Sequence, residues 1–375
     1  MPNTLADITP KLLARALLAL RTRAIMPQVV NGDYGLDAAT YGKTIDVPIP
    51  SAMGAADDVT PGPTPPTPSS VAPTTVKVNL DQWKHKDFHL TDKEITQINR
   101  DSAFLPMQTS EAVQSIAETV NGFLHSLYVG IYGFVGTPGV TPFGAGIGEA
   151  TAARKVLNQQ RCPRDSRRGV LNFDAGAAAL DQEGFRSAEK IGSSDVILSG
   201  EIGHKLGIDW YEDDSVKLHT KGTGTLYQTN GVQTLGSKVV AVDTGSGTFV
   251  VGDIVTFAGD TQTYVVTGAL GAPGNLLIEP GLKIAHGDNV AITIKGSHVV
   301  NLVFHRDLIA FGNRPILEMT NDLSLGNLML AMQDPISKLV LRVEVMRQYK
   351  QTVWDLDILY GGALTRAEYG VRIAA

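Results

Sequence analysis

Apolar residues recur at three- and four-residue spacing over one long stretch of the chain. The stripe runs from Val113 to Tyr128 and predicts an amphipathic helix of about twenty residues. Shorter stripes predict two further helices. One begins at Thr9-Pro10 and reaches Leu20, and the other ends near Leu157.

Local signals mark where the long helix starts. Thr91 is followed three residues later by Glu94, which is the spacing of a capping box and predicts a short helix directly after it. We expect Pro106 to interrupt that short helix. Glu111 is then expected near the positively polarised N-terminal end of the long helix.

Strict alternation of apolar and polar residues predicts strands at Thr44–Ser51 and Thr74–His89. The prolines between them cannot pair inside a sheet or continue a helix: Pro61, Pro63, Pro65, Pro66 and Pro68. We therefore expect a two-stranded loop with an extended, exposed tip. An isolated hairpin does not recover the entropy lost on ordering such a segment, so a partner surface is expected to do so.

In the second half of the chain the pattern of apolar, polar and glycine residues changes twice. Residues 169–212 mix strand and helix patterns and predict an α/β layer, in which Val170–Phe173 and Asp195–Leu198 are strands and Ala175–Leu180 is a helix. Residues 222–296 are rich in glycine and poor in charge. Short β-type runs separated by turn formers recur there, which predicts a small inserted β-barrel or sandwich: Lys238–Val242, Phe249–Phe257, Tyr264–Thr267, Leu276–Ile278 and Val290–Ile294.

Alternation returns near the end of the chain. Leu339–Val345 and Val353–Tyr360 each place apolar side chains on one face, so both are predicted to be strands. Together with the patterns before them, they predict an α+β protein.

Composition and charge narrow the classes of protein. The 375 residues are 43% hydrophobic and 19% charged, which is enough apolar material for a core. The net charge of −6 disfavours a nucleic-acid binder held by counterion release. No apolar run is long enough for a membrane-spanning helix. Cys162 is the single cysteine, which excludes an intrachain disulfide and fits a reducing compartment.

Two pairs of residues are candidates for metal or acid–base chemistry. His85 and His89 are four residues apart, but on a strand they would lie about 13 Å apart. Asp355 and Asp357 share one face of a predicted strand and could bind magnesium or act as acid and base. The simpler interpretation is that both aspartates point outward, since Leu356 lies between them on the apolar face.

Other motifs are weaker still. Tyr41–Thr44 ends like a phosphate loop but has Asp37 where that motif needs glycine, and Gly144, Gly146 and Gly148 miss the dinucleotide spacing. Cys162 lies among basic residues that would lower its pKa, and we expect an exposed thiol in a loop. Four nearby arginines are expected to form salt bridges between subunits: Arg161, Arg164, Arg167 and Arg168. We predict no catalytic, cofactor-binding or metal-binding residue, and no enzyme.

Several segments, taken in order, carry a resemblance to a known family. Trp83–Glu94 leaves the extended loop, Leu218–Thr223 enters the β-rich insertion and Val300–Arg306 leaves it, while Arg347–Tyr349 and Trp354–Gly361 close the chain. This order resembles the major capsid (coat) proteins of tailed bacteriophages, of the short-tailed-phage type with an inserted β domain. The resemblance covers nearly the whole chain.

The resemblance implies an α+β fold with five parts. These are an N-terminal arm at 1–43, an extended loop at 44–90, a peripheral domain with a long spine helix at 91–136 and 345–375, an axial α/β domain at 137–215 and 297–344, and an inserted small β-barrel at 216–296.

The resemblance also implies a function. The chain would be the repeating subunit of an icosahedral head, in hexamers and pentamers, that encloses double-stranded DNA without sequence-specific binding. A scaffolding protein and a portal are the implied assembly partners, with a decoration protein as a further one. Assembly in the host bacterial cytoplasm and location in the virion follow, with no membrane and no cofactor.

Two alternatives stay open at this point. The same fold could form a nanocompartment shell that holds cargo enzymes. In a different class, the β-rich module could serve a carbohydrate-binding protein or an enzyme through Asp253, Asp260 and Asp288, although acids near turns are more simply turn formers.

Overall fold

The structure is a computed structural model. It describes residues 16, 20, 24–33, 44–50, 56, 58–59, 61, 73–98, 104–186, 200–314, 328–334 and 337–375. The α-helices of these residues are α1 (Ile25–Val29), α2 (Asp92–Ile98), α3 (Phe104–Ser126), α4 (Gly148–Gln159), α5 (Phe173–Asp181) and α6 (Glu183–Arg186). Short 3-10 helices follow at Leu127–Gly130, Arg306–Leu308 and Ala367–Tyr369.

The strands belong to four sheets. In chain order they are β1 (Thr44–Ile49), β2 (Thr74–Asn79), β3 (Gln82–Thr91), β4 (Gly133–Gly136), β5 (Arg167–Leu171), β6 (Gly203–Lys205), β7 (Ile208–Glu212), β8 (Leu218–His219), β9 (Gln228–Thr229), β10 (Val239–Asp243), β11 (Ile254–Phe257), β12 (Tyr264–Val266), β13 (Gly274–Glu279), β14 (Ile292–Ile294), β15 (His298–His305), β16 (Ile309–Arg314), β17 (Leu328–Gln333), β18 (Val340–Gln348), β19 (Gln351–Leu364) and β20 (Gly370–Ala374).

The long helix α3 packs its apolar stripe against a five-stranded sheet. Val113, Val120 and Leu124 on the helix are fully buried in the same cluster as Leu356 and Ile358 of β19. The sheet has the order β16-β19-β18-β17, and β3 pairs with the other edge of β19. The predicted helix and both predicted closing strands are therefore present, and they contribute to the largest hydrophobic cluster among the described residues.

The start of α3 differs from the prediction. The helix begins at Phe104, so Pro106 lies in its first turn, where the missing N–H costs no helical hydrogen bond. Glu111 consequently lies about two turns inside the helix, away from its N-terminal end. The capping box is confirmed: the Thr91 backbone N–H donates to the Glu94 carboxylate at 2.8 Å, and the Glu94 N–H donates back to the Thr91 hydroxyl at 3.3 Å.

The N-terminal stretch lies partly outside the described residues, including the predicted cap at Thr9-Pro10. Leu20, Met26 and Val29 are buried in the core cluster that contains α3. The backbone N–H of Met26 donates to the Asn121 side chain on α3 at 3.2 Å. This part of the N-terminal stretch therefore packs against its own chain.

A second, mixed sheet of seven strands forms the α/β layer. Its order is β4-β20-β15-β5-β7-β6, with β8 also paired to β15; β4 is parallel to β20 and β5 to β7. Helices α4 and α5 pack with it around Trp210 and Phe143. Strand β5 ends at Leu171, two residues before the predicted end, because Asn172 caps α5 by accepting the Ala175 N–H at 3.2 Å. The predicted strand Asp195–Leu198 lies outside the described residues.

The β-rich insertion forms a six-stranded antiparallel sheet with the order β14-β11-β12-β13-β10-β9. Its two ends approach each other, because Gln228 pairs with Ala291 and the Thr229 N–H donates to the Val290 carbonyl at 3.0 Å. Tyr264, Phe257 and other apolar side chains fill its interior. The sheet is nearly closed, which supports the predicted barrel in part.

The predicted strand at Thr74–His89 is two strands that belong to different sheets. Strand β2 pairs antiparallel with β1 in a separate two-stranded ribbon, and the chain turns at Leu80–Asp81 before β3 joins β19. The prolines between β1 and β2 lie almost entirely outside the described residues. The two-stranded loop predicted from the alternation is confirmed at its base.

Two glycines create the seat of this ribbon. Gly312 of β16 and Gly361 of β19 are direct cross-strand partners, so the sheet surface carries no side chain at that point. A methyl group on Gly361 would overlap the Asn79 carbonyl oxygen, and one on Gly312 would come within 2.7 Å of the Ile45 side chain. The absence of Cβ atoms therefore lets the ribbon backbone lie directly on the sheet.

We predict that Gly361→Ala destabilises the chain by about 1–3 kcal/mol, since the added methyl group meets ribbon backbone that cannot rotate away. The free energy of unfolding in urea measures the effect. Gly287→Ala is the matched control, because nothing lies within 4 Å of the position its methyl group would take. Equal stability of the two variants would contradict a close seat for the ribbon.

Candidate functional site

The candidate histidines lie on β3 and do not meet. His85 contacts Asp355 of β19, with 3.1 Å between its Nδ1 and the carboxylate, whereas His89 lies opposite Val353. No group of three His, Cys, Asp or Glu side chains in the described ranges is arranged to hold a metal ion. The strand placement expected from the alternation is present.

The paired aspartates of β19 have separate partners. Asp357 accepts the Arg342 Nε–H at 2.9 Å and the Trp83 indole N–H at 3.0 Å. The interpretation that both aspartates point into solvent is wrong for Asp357, because Trp83 and Arg342 cover it and leave it 4% exposed. Burial raises the pKa of Asp355, and His85 partly offsets that effect.

The prediction that the Cys162 thiol is exposed is wrong. Cys162 is buried, and burial raises its pKa to about 11. The nearest basic side chain, Arg167, lowers that pKa by less than burial raises it, since its guanidinium also donates to the carbonyl oxygens of Pro163 at 2.6 Å and Cys162 at 2.7 Å. The basic neighbours therefore organise a turn instead of activating a nucleophile.

The four arginines around this turn divide into two pairs. Arg167 is buried within its own chain, so the predicted salt bridge between subunits is wrong for it. Arg168 donates to the Gln28 carbonyl oxygen at 2.6 Å and ties α1 to the mixed sheet. Arg161 and Arg164 are exposed, and for them the salt bridge stays a prediction.

The three aspartates of the insertion do not converge, because two of them lie at turns and the third is buried. Asp260 accepts the Gln262 N–H at 2.8 Å and the Tyr264 hydroxyl at 2.6 Å, and Asp288 accepts the Gly231 N–H at 2.7 Å. Asp253 is fully buried and binds backbone amides and an imidazole. These contacts agree with the turn-former interpretation for Asp260 and Asp288.

One glycine motif lies in a loop, and the other lies mostly outside the described residues. Gly144, Gly146 and Gly148 lead into α4 from a stretch of turns, without the strand that a dinucleotide fingerprint requires. Tyr41–Lys43 lie outside the described residues, and Thr44 is the first residue of β1.

A cleft of about 600 Å³ lies between the inserted sheet and the mixed sheet. Thr263 and Glu279 line it from the insertion, and Tyr132, Gln160 and Glu368 from the body. The Thr263 hydroxyl donates to the Tyr132 carbonyl oxygen across its base at 2.7 Å. Arg161 and Lys283 equal the two glutamates in number, so the lining carries no net formal charge.

Two aromatic side chains, those of Trp83 and Tyr349, are largely exposed on the surface of the chain. Trp83 is 63% exposed, yet its indole N–H is fixed by Asp357. Tyr349 is 86% exposed at the turn between β18 and β19. Aromatic side chains held in place before binding are typical of protein–protein contacts.

Comparison with known proteins decides the fold. No protein-family model and no curated protein matches the sequence. Among solved structures, one from Mycobacterium phage Che8 has a TM-score of 0.52 and 14% identity, covering 93% of this chain and 90% of that chain. The capsid structure of cyanophage P-SCSP1u has a TM-score of 0.52 and 11% identity, covering 93% of this chain and 86% of that chain.

This is the fold of phage capsid proteins. The match covers 93% of this chain and agrees with the α+β class predicted from the sequence. In the part of the chain that the structure describes, no helix is long and apolar enough to cross a membrane.

Sequence reasoning missed three residues at places where separate parts of the chain pack closely, namely Gly312, Gly361 and Arg372. Gly312 and Gly361 lie inside strands, where a glycine is a recognised signal of close backbone approach. Arg372 is fully buried between Val371 and Ile373 in β20. A lone basic residue in an apolar strand was the available signal for it.

We predict that Asp357→Ala lowers the free energy of unfolding by about 3–5 kcal/mol, because it leaves the largely buried Arg342 without its carboxylate. Asp355→Ala is the control, as it removes only a contact to the exposed His85. Adding Arg342→Met to Asp357→Ala should recover part of the loss. Urea unfolding measures all three, and equal effects of the two aspartate variants would contradict the buried pair.

We predict that Cys162 reacts slowly with Ellman's reagent in the folded chain. With a pKa of about 11, only about 0.1% of the thiol is ionised at pH 8. Reaction in urea should be faster by at least tenfold, since the unfolded thiol is exposed and ionises more readily. Cys162 is the single cysteine, so Cys162→Ala gives the blank. Equal rates with and without urea would show that the thiol is exposed.

Proposed function

We propose that the chain is the major capsid protein of a tailed bacteriophage, a structural subunit that assembles into the icosahedral head around double-stranded DNA. The observation that carries this proposal is the shared fold, which extends over 93% of this chain and 90% of the Che8 chain.

The ribbon supports assembly as the role. Ile45, Val47 and Val78 are buried near its base, whereas at the far end Ile49 is half-buried and Thr74 is exposed. A two-stranded ribbon that leaves its own core is marginally stable alone, so a second copy of the chain is the proposed support for its continuation. Contacts repeated many times in a shell need not be strong individually.

The acidic charge supports a container. With a net charge of −6, the wall would hold DNA without binding it tightly. We propose that the parts are an arm at 1–43, the loop at 44–90, a peripheral domain at 91–136 and 345–375, an axial domain at 137–215 and 297–344, and an inserted barrel at 216–296. Hexamers and pentamers, a scaffolding protein, a portal and a decoration protein complete the proposal, with assembly in the host cytoplasm.

The purified chain, alone and with its scaffolding protein, should form closed particles or capsomers by sedimentation and electron microscopy. Deleting residues 57–70 should leave the circular dichroism of the subunit unchanged, yet its particles should dissociate at lower denaturant concentration, because copies lose contacts through the loop tip. A compact monomer under every condition would contradict the shell role. Particles filled with an enzyme instead of DNA would favour a nanocompartment.

A further inference from the structure

A group of buried polar side chains joins the inserted sheet to the rest of the chain. His125 and Tyr128 come from the end of the long helix, His219 from β8, Asp253 from the turn before β11, His298 from β15 and Arg372 from β20. We call these six residues the junction. All are buried, and none of the proposed shell contacts uses them.

Arg372 provides the positive charge of the junction. Its guanidinium donates to the Gly252 carbonyl oxygen at 2.8 Å and the Tyr128 carbonyl oxygen at 2.9 Å, and lies 4.9 Å from the centre of the Tyr128 ring. No carboxylate of the described residues forms an ion pair with it. Burial lowers its pKa to about 9, so it is charged at neutral pH.

Asp253 provides the balancing negative charge. Its carboxylate accepts the backbone N–H of Gly222 at 3.0 Å and of Val250 at 2.8 Å, and contacts His219 Nε2 at 3.0 Å. With Nε2–H donating to Asp253, the His219 Nδ1 accepts the Tyr128 hydroxyl at 3.1 Å. Both ring nitrogens of His219 are therefore hydrogen-bonded.

The contacts of the other two imidazoles, those of His125 and His298, fit a neutral ring. His125 Nε2–H donates to the Val300 carbonyl oxygen at 3.0 Å, and its Nδ1 faces the Lys217 backbone N–H at 3.4 Å. His298 Nδ1–H donates to the Gly296 carbonyl oxygen at 2.8 Å, and its Nε2 is buried without a partner. A proton added to either ring would have no acceptor.

We propose that the junction is an acid-sensitive latch that fixes the inserted sheet to the body. Arg372 is its cation and Asp253, which contacts His219, is its anion. The Lys217 side chain near His125 is also positive. A proton added to His125 or His298 therefore brings a positive charge that no carboxylate contact balances. Protonation would also break the Lys217 contact of His125 or bury a bare N–H on His298. Acid therefore favours the open latch, in which water reaches the imidazoles.

The pH range over which the latch opens follows from the pKa values of His125 and His298. Burial lowers the pKa of His125 and of His298 from 6.5 to about 4. The closed latch is thus fully stable above pH 6.5 and loses stability as the pH falls towards 4. At pH 5 each histidine should shift the opening equilibrium by about 30-fold, and more at lower pH.

Hydrogen–deuterium exchange on the full-length, unassembled chain tests the latch. The reporter amides are Gly222 and Val250, which donate to Asp253, and the reference is the strand pair β18–β19. Between pH 7 and 4, after correction for intrinsic exchange rates, the reporter amides should lose protection before the reference does. Simultaneous loss, or full protection of the reporters at pH 4, would overturn the proposal.

His298→Asn makes the test specific. The asparagine amide can still donate to the Gly296 carbonyl oxygen but cannot be protonated, so opening should shift to lower pH. His204→Asn alters an exposed imidazole on β6 and should leave the midpoint unchanged. An unchanged midpoint in a folded His298→Asn chain would overturn the proposal, and if that variant does not fold, the wild-type comparison decides. Particle formation plays no part in either measurement, so the latch and the shell role can fail independently.

Discussion

The packing of the long helix on β19 is the interaction on which the other parts of the structure depend. β19 is 14 residues long and pairs with β18, β3 and β16 along its length, so one strand collects three neighbours. Its inward side chains, such as Leu356 and Ile358, bury against the helix, each contributing about 1.5–3 kcal/mol. The ribbon, the hairpin tip and the start of the insertion are all positioned from this core.

Much of this arrangement could be predicted because it is written in local periodicity. The stripe of α3, the alternation of β18 and β19, the capping box at Thr91 and the turn-separated runs of the insertion each depend on neighbouring residues. What could not be predicted depends on what covers a residue. Cys162 among arginines suggested an exposed thiol, and Asp357 in an alternating strand suggested an exposed carboxylate, yet the folded chain buries both.

The nearly closed inserted sheet is not independent of the body. Tyr132 packs against Ile254 and Val265 in a shared apolar cluster, and the Gly252 carbonyl oxygen is one of two acceptors for Arg372. Removing the insertion would strand a buried guanidinium, which costs more than losing an exposed contact. Both contacts fix how the insertion lies against the body.

The seat formed by Gly312 and Gly361 acts at one end of the ribbon only. Six paired residues extend the ribbon by about 20 Å, so turning its base by 10° would carry the far end about 3 Å. The ribbon can therefore pivot about its base, where the two glycines place no side chain between it and the sheet. Small adjustments beneath it are magnified at Ile49 and Thr74, which in the proposed shell would let one rigid subunit meet neighbours at more than one angle.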